Sequence, residues 1–348
     1  MAKCIFAGTV TNPMQQQFSE VLVRARATVQ AGLDLCQEFI QQVTDEAPGA
    51  LHARMQEITG RQGKRVRATM MLLVGAMGKP VDADTLRRQA RVAASLELLH
   101  LASLVHDDVI DESSLRRGST TPNAKWGNKM AVLVGDYILS KSMELAVQEE
   151  DQRIPAILSR ASSQLVEGEI LEIDLAGKFD AKVADYNAVI EGKTASLFDA
   201  CGQCGAILAG QNPQMVLACG DLGRRFGLTF QIVDDLLDYG IGAGDLGKAK
   251  FSDLANGLAT LPILLYFEKS TEDQKATMSE RLLDASKGTP GASSEVLAEL
   301  TQSGVFESTL EIAMDHMHSA IAVLDSLPPS KEKDIMSEVC LSTLHRNH

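Results

Sequence analysis

Two aspartate-rich stretches carry the strongest chemical signal in the sequence: Asp107-Asp108-Val109-Ile110-Asp111 and, far downstream, Asp234-Asp235-Leu236-Leu237-Asp238. In a helix the first and last aspartates of each stretch fall one turn apart on one face, so each copy forms a small carboxylate claw. Like charges held this closely cost stability unless a cation lies between them, and hard oxygen donors suit Mg²⁺ or Mn²⁺. Mg²⁺ seldom takes a cage made only of protein. It keeps waters and shares a few carboxylates with substrate phosphates, so two claws suggest a diphosphate clamped between metal ions. One DDxxD alone is as easily a solvated helix end, but here each copy follows an apolar pair, Leu104-Val105 or Ile232-Val233.

Phosphate-binding groups recur around the claws. Gly63-Lys64-Arg65-Val66-Arg67 opens an apolar run over 68–76. At such a helix start, free backbone N–H groups and the helix dipole add to the charges of Lys64 and Arg67 and make an anion site. His100 lies two turns before Asp107 on the same helix face, where it can donate to a phosphate. Arg116 and Arg117 directly follow the first claw, and paired guanidinium forks suit two phosphate groups of different substrates. Lys193-Thr194 adds another donor pair. The Gly-rich stretch 239–247, with Lys248 and Lys250 behind it, has the flexibility and charge of a lid. Glu97-Leu98-Leu99-His100 formally matches the Glu-x-x-His element of di-iron bundles, but that element must occur twice and no second copy exists.

The elements that must position these groups read as helices. Apolar residues at helical spacing predict one long helix over 15–43, another from Asp82 into the first claw, and further helices over 130–147 and 154–175. The Asp82 helix, at about 30 residues, would span roughly 45 Å and line a deep pocket. The 154–175 helix carries Glu167, Glu169 and Glu172. Asp180 is placed to cap the helix or helices over 181–209, and Asn212-Pro213 opens the run ending in the second claw. Helices follow over 260–267, after the capping box Thr271/Gln274, and over 295–302, 306–324 and 331–344. The stretch 287–294 reads as a linker, and no convincing strand, repeat or low-complexity tract is present. The expected fold is all-α: about a dozen helices around a deep central cavity, one domain over 15–348 behind a flexible lead of 1–14.

Composition limits the partners. The chain has 348 residues, 45% of them hydrophobic, so it can bury a large core. A formal charge of −13 argues against a nucleic acid or an anionic membrane surface as the main partner, so a phosphate site must be a local basic cluster. The six cysteines are scattered, and Cys201-Gly202-Gln203-Cys204 has redox spacing without a second pair or a βαβ context, as expected of small buried thiols in a reducing compartment. No apolar run reaches the ~18 residues of a membrane span, and the first residues lack the features of a signal or transit peptide. A soluble cytoplasmic protein is expected.

These motifs resemble those of the trans (E-type) polyprenyl diphosphate synthases, most closely the octaprenyl, nonaprenyl and decaprenyl members. The segment 63–67 is similar to the family's GGKRxRP, Glu97 through Asp111 to its EllHxxxLxHDDxxD, and Arg116-Arg117-Gly118 to its RRG. The likeness continues through Trp126-Gly127-Asn128, Gly135-Asp136-Tyr137, Gly192-Lys193-Thr194, Phe230 to Asp235 and Thr260-Leu261-Pro262, over about residues 50 to 345. It implies the isoprenoid synthase fold, a homodimer, and condensation of an allylic diphosphate with isopentenyl diphosphate. On this resemblance Asp107, Asp108, Asp111, Asp234, Asp235 and Asp238 would hold three Mg²⁺ on the allylic diphosphate, with Arg116, Lys193, Thr194, Gln231 and Lys248 completing that site. Lys64, Arg67, His100 and Arg117 would hold isopentenyl diphosphate.

The sequence also departs from the family pattern. Gln62 replaces a glycine and Ala68 a proline in the first basic motif, while Leu258 stands where the lid pattern GKPxGSDLxEGKxTLP carries its second lysine. That change keeps open a weakly active or regulatory subunit of a heteromeric synthase. A class I terpene cyclase fits less well, because cyclases replace the second claw and need no isopentenyl site. In the resembled family, bulk four or five residues before the first claw closes the floor under a growing chain. Ser103 and Ala102 stand there, both small, with Leu99 and Leu96 beyond. The expected product has about forty to fifty carbons, with geranylgeranyl diphosphate as the runner-up and a peripheral membrane contact at product release.

Overall fold

The helix that ends in the first claw, α5 (Ala83–Ile110), runs through the middle of the molecule. The computed structural model describes residues 18–61, 63–78, 80–116, 118–241 and 251–346. Asp82 caps α5 by accepting the Thr85 N–H at 2.8 Å, and Asp111 is its C-cap, so the first claw sits on the final turn. Around α5 pack α2 (Gln30–Asp45), α4 (Val66–Ala76), α7 (Asn128–Ala146) and α10 (Ser196–Leu208). Ser95 and Ser142 fix α5 against α7 without charge, since each hydroxyl donates to the other residue's carbonyl at 2.7 Å.

The second claw ends α11 (Pro213–Asp238), which Asn212 caps by accepting from the Met215 N–H at 2.9 Å. Glycines allow α10 and α11 to cross almost in backbone contact: a Cβ on Gly202 would lie 1.9 Å from the Cys219 carbonyl oxygen, and one on Gly223 2.0 Å from that of Phe198. This close crossing brings Phe198, Phe226 and Phe230 together, with ring centroids 5.0 to 6.0 Å apart. The first half of α11 belongs to the core around α5, and Leu228, Ile232 and Leu236 belong to a second core. That second core is completed by α13 (Leu261–Lys269), α14 (Glu272–Ser286), α15 (Ala292–Ser303) and α16 (Val305–Asp325), and α17 (Lys331–Thr343) returns to pack on α1 (Phe18–Thr28).

Several local expectations are corrected. The helix expected over 15–43 is α1 and α2, broken at Val29, whose φ of −116° and ψ of 24° are not helical; a break of this kind leaves the apolar spacing nearly intact. A short helix, α3 (Ala50–Thr59), lies between this pair and α4. Asp180 does not cap the next element: α9 (Val183–Ile190) starts at Lys182, whose N–H is held by the Asp185 carboxylate at 3.1 Å. Two-residue strands exist, β1 (Leu115–Arg116) and β2 (Ser119–Thr120), turned by Gly118 at φ +75°. The linker is shorter than 287–294, because α15 begins at Ala292. Thr271 and Gln274 do form their capping box at the start of α14.

Candidate active site

One cavity of about 740 Å³ is lined by the first claw, by Asp234, and by the basic groups Lys64, Arg67, His100, Arg116, Lys193 and Arg346. A neighbouring cleft of about 530 Å³ shares Asp111, Lys193, Thr194 and Gln231 with it and continues past Asp235 and Asp253. A third pocket, lined by Thr28, Gly32, Leu86 and Pro329 among others, carries none of this chemistry.

On the first wall, Asp108 is buried and accepts from Arg116 Nε at 2.6 Å, so the hairpin is tied back to the claw by a charge-assisted bond. Burial, helped by the Glu169 charge, pushes the Asp107 carboxyl up to about 7. Burial likewise raises Asp111 and Glu172 against the pull of Lys193.

The second wall is a hydrogen-bonded chain. Asp235 is buried and accepts from Tyr186 Oη at 2.6 Å and from Gln231 Nε2 at 2.8 Å, while Gln231 Oε1 accepts from Thr194 at 2.8 Å. Burial raises the Asp235 carboxyl well above its ordinary value, and the nearby Asp253 charge adds to this. Asp238 accepts the N–H groups of Ser252 and Asp253 at 3.1 Å and the Ser252 hydroxyl at 2.5 Å. The short helix α12 (Ser252–Ala255) is thereby docked by its N-terminus on the last carboxylate of the claw. Asp234 pairs with Arg346 at 2.8 Å, and the Arg346 guanidinium lies 3.7 Å over the Phe230 ring.

Lys193 stands on one turn of π-helix, Glu191–Ala195, between α9 and α10. That turn crosses α8 (Arg153–Leu175) at Gly168 and Gly192. A Cβ on Gly168 would lie 2.5 Å from the Lys193 nitrogen, so the crossing requires glycine. The close approach delivers Lys193 Nζ to Glu169 at 2.9 Å and to Glu172 in a still shorter contact. Burial works against the ammonium charge, but Glu172 and Glu169 outweigh it and hold Lys193 above its usual pKa.

Most of the residues expected from sequence therefore meet in one place. Arg117, Lys248 and Lys250 lie outside the described residues. Of the chain-length positions, Ser103 lines the cavity, while Ala102 and Leu99 are buried in the core at 2% and 3% exposure. The free amides expected at the start of α4 are partly used: Glu97 accepts the Ala68 N–H at 2.9 Å, and the Arg67 guanidinium lies 4.6 Å over Phe198. Glu169, Glu172, Tyr186, Asp253 and Arg346 received no role from sequence. Glu169 and Glu172 offered one weak signal, two acids three residues apart on a helix. The Cys201 and Cys204 thiols are fully buried, and burial raises both pKa values, as structural thiols require.

The donors available for a metal are all carboxylate oxygens, the set that hard divalent cations prefer. Among the described residues no three such groups converge on one point, so an ion held here would take further oxygens from water or a phosphate. Asp107 and Asp253, both raised from 3.8 to about 7 by burial, hold protons in the folded chain that the unfolded chain releases. Their contribution to stability therefore falls as pH rises through that window. The melting temperature of the metal-free protein is expected to drop between about pH 4 and about pH 7, and millimolar Mg²⁺ to reverse the drop at the upper end of that range. A melting temperature that stays flat or rises, with no response to Mg²⁺, would count against a cation between the claws.

The chain is similar to known proteins over most of its length. A family model described as polyprenyl synthetase matches residues 48–300. The chain is 37% identical over 256 residues to an octaprenyl diphosphate synthase of Haemophilus influenzae, covering 74% of this chain and 77% of that protein. The crystal structure of a decaprenyl diphosphate synthase from Rhodobacter capsulatus superposes with a TM-score of 0.83 at 30% identity, covering 95% of this chain and 99% of that one. A polyprenyl synthase from Caulobacter crescentus, complexed with calcium and isoprenyl diphosphate, gives 0.82 at 31% identity, with 95% and 98% covered.

Proposed function

The chain belongs to the polyprenyl synthetase family, and from that premise we propose that it condenses isopentenyl diphosphate onto an allylic diphosphate to build a medium- to long-chain trans-polyprenyl diphosphate. The observation that carries this reading is one cavity lined by the first claw, by Asp234 of the second, and by the basic groups Lys64, Arg67 and His100. Two anionic substrates need two such places.

The allylic diphosphate would be held at the claws, with Arg116, Lys193, Thr194 and Gln231 as protein donors, and Lys248 is assigned to the same substrate by its place in the family motif. Isopentenyl diphosphate would lie against Lys64, Arg67, His100 and Arg117. The six claw aspartates fit Mg²⁺, three ions per site in this reading, with Mn²⁺ as the alternative. When bound, those ions stabilise the negative charge that grows on the departing diphosphate. The protein's own residues orient the leaving group: Gln231 is held from both sides by Thr194 and Asp235, and Lys193 is fixed by two glutamates. The isopentenyl double bond, held close by the basic wall, attacks the allylic cation, and the released diphosphate takes the final proton. No protein nucleophile is required.

The same reading treats residues 15–348 as one domain that pairs with a second copy. Val166, Ile170 and Ile173 of α8 form an exposed apolar stripe at helical spacing, and Leu133 of the adjoining α7 is 62% exposed. A homodimer would cover this face. No helix among the described residues is long and apolar enough to cross a membrane. A cytoplasmic enzyme with peripheral membrane contact at product release fits that.

The test is turnover by the purified chain with isopentenyl diphosphate, Mg²⁺ and allylic primers of increasing length. A ladder ending at geranylgeranyl diphosphate would select the shorter-chain alternative, and no product at all would leave the regulatory-subunit reading. The two phosphate sites should separate kinetically. Lys64→Ala is expected to raise the KM for isopentenyl diphosphate, and Arg116→Ala that for the allylic partner, each by roughly ten- to a hundredfold for the loss of ~1.5–3 kcal/mol. Reversal of the two effects would reverse the assignment of the sites.

A further inference from the structure

The 530 Å³ cleft beside the claws has an unequal charge balance. Among the described residues six carboxyl side chains line it, Asp111, Glu112, Glu169, Glu172, Asp235 and Asp253, against two ammonium groups, Lys178 and Lys193. Lys193 is already gripped by Glu169 and Glu172. Lys178 is exposed and makes no ion pair among the described residues. On the same rim, Leu258 contributes no charge.

The base of Lys178 is held in place. It follows the end of α8, and the neighbouring Gly177 N–H donates to the Gly257 carbonyl at 2.8 Å. A Cβ on Gly257 would lie 3.2 Å from the Gly177 nitrogen, so the segments 176–178 and 256–258 are packed backbone to backbone at the rim. The lysine stem is flexible, its anchor is fixed, and its charge is not spent on a carboxylate. A diphosphate entering an acid-rich cleft gains most from a cation of this kind, because no existing ion pair must break.

We propose that Lys178 is a substrate-binding residue whose ammonium closes over the cleft mouth onto the diphosphate held at Asp111, Lys193 and Thr194. The assignment to the allylic substrate rests on the prenyltransferase reading, whereas the diphosphate contact does not. The competing role is purely structural. Lys178 lies just past the last turn of α8, where a cation complements the carbonyl end of the helix dipole and adds stability without touching any ligand.

The experiment compares wild type, Lys178→Gln and Lys178→Arg as full-length proteins with Mg²⁺ present. Calorimetric titration with inorganic pyrophosphate should show about ten- to a hundredfold weaker binding in Lys178→Gln and near-wild-type binding in Lys178→Arg, with melting temperatures unchanged. In turnover, the KM for the allylic diphosphate should rise in Lys178→Gln while that for isopentenyl diphosphate stays. Unchanged pyrophosphate affinity in Lys178→Gln overturns the proposal, as does a loss of stability without a loss of affinity. Absence of turnover in the wild type would instead sink the prenyltransferase reading and leave the pyrophosphate comparison to decide Lys178.

Discussion

Asp107→Ala and Asp234→Asn are each expected to lower kcat by about three orders of magnitude or more, with the fold intact. The two claws are not interchangeable. Asp107 is on the last turn of α5, faces Glu169 and Lys193, and is held partly protonated near neutral pH by burial, so only a cation makes its charge tolerable. Asp234 is the half-exposed member of the second claw and is paired with Arg346 in this structure. In the proposed reading each carboxylate would supply a ligand oxygen that the opposite helix cannot replace. The stability controls follow from the same surroundings. Removing Asp107 relieves a buried like-charge contact, so the metal-free melting temperature should hold or rise. Asparagine is the informative change at 234, because it keeps an acceptor for Arg346 that alanine would take away. The measurements are steady-state turnover with Mg²⁺ and thermal unfolding of both variants. Turnover near wild type in either one would exclude a two-claw mechanism.

Ser103→Phe is expected to shorten the product from about forty to fifty carbons to about fifteen to twenty while leaving the first condensation fast. Ser103 lines the cavity one turn below Asp107, and its hydroxyl is turned back onto its own helix, donating to the His100 carbonyl at 2.9 Å. The space above it is thus open to a chain. From here the cavity lining on α5 reaches back to Glu97, and the helix itself continues to Ala83, roughly 30 Å from Ser103, a length that would accommodate a tail of many isoprene units. A phenyl group at 103 would project into that path and stop growth. Ala102 is the contrasting position: at 2% exposure it packs in the core, where phenylalanine would overfill by ~1–3 kcal/mol. If the tail instead runs between α5 and its neighbours on the Ala102 side, Ala102→Phe will be the variant that shortens products. Chromatography of labelled products decides between the two faces, and an unchanged ladder in both variants would place the floor elsewhere.

Much of this protein was legible before folding was considered, because the relevant physics is local. Helical class follows from apolar residues recurring every three to four positions, and a claw follows from aspartates one turn apart. The Asn212 and Thr271 caps were legible for the same reason, since a cap is a contact across three residues. Local reading failed where two local solutions look alike. A break at Val29 barely disturbs the apolar spacing of a continuous helix, and Lys182 can open α9 because Asp185, not the capping residue's own side chain, satisfies the first amide.

Tertiary structure decided the rest, through contacts between segments distant in the chain. Glu169 and Glu172 become partners of Lys193 only because Gly168 and Gly192 let α8 and the π-turn approach closely enough. Arg346 reaches Asp234 because α17 returns beside α11 and α1. Lys178 reaches the cleft because Gly177 and Gly257 pack together. The choice between Ala102 and Ser103 as cavity wall depends on which neighbour covers each face of α5. Sequence period places both residues one turn below the claw, but it cannot say which side of a helix is covered by another helix and which is left open to a substrate.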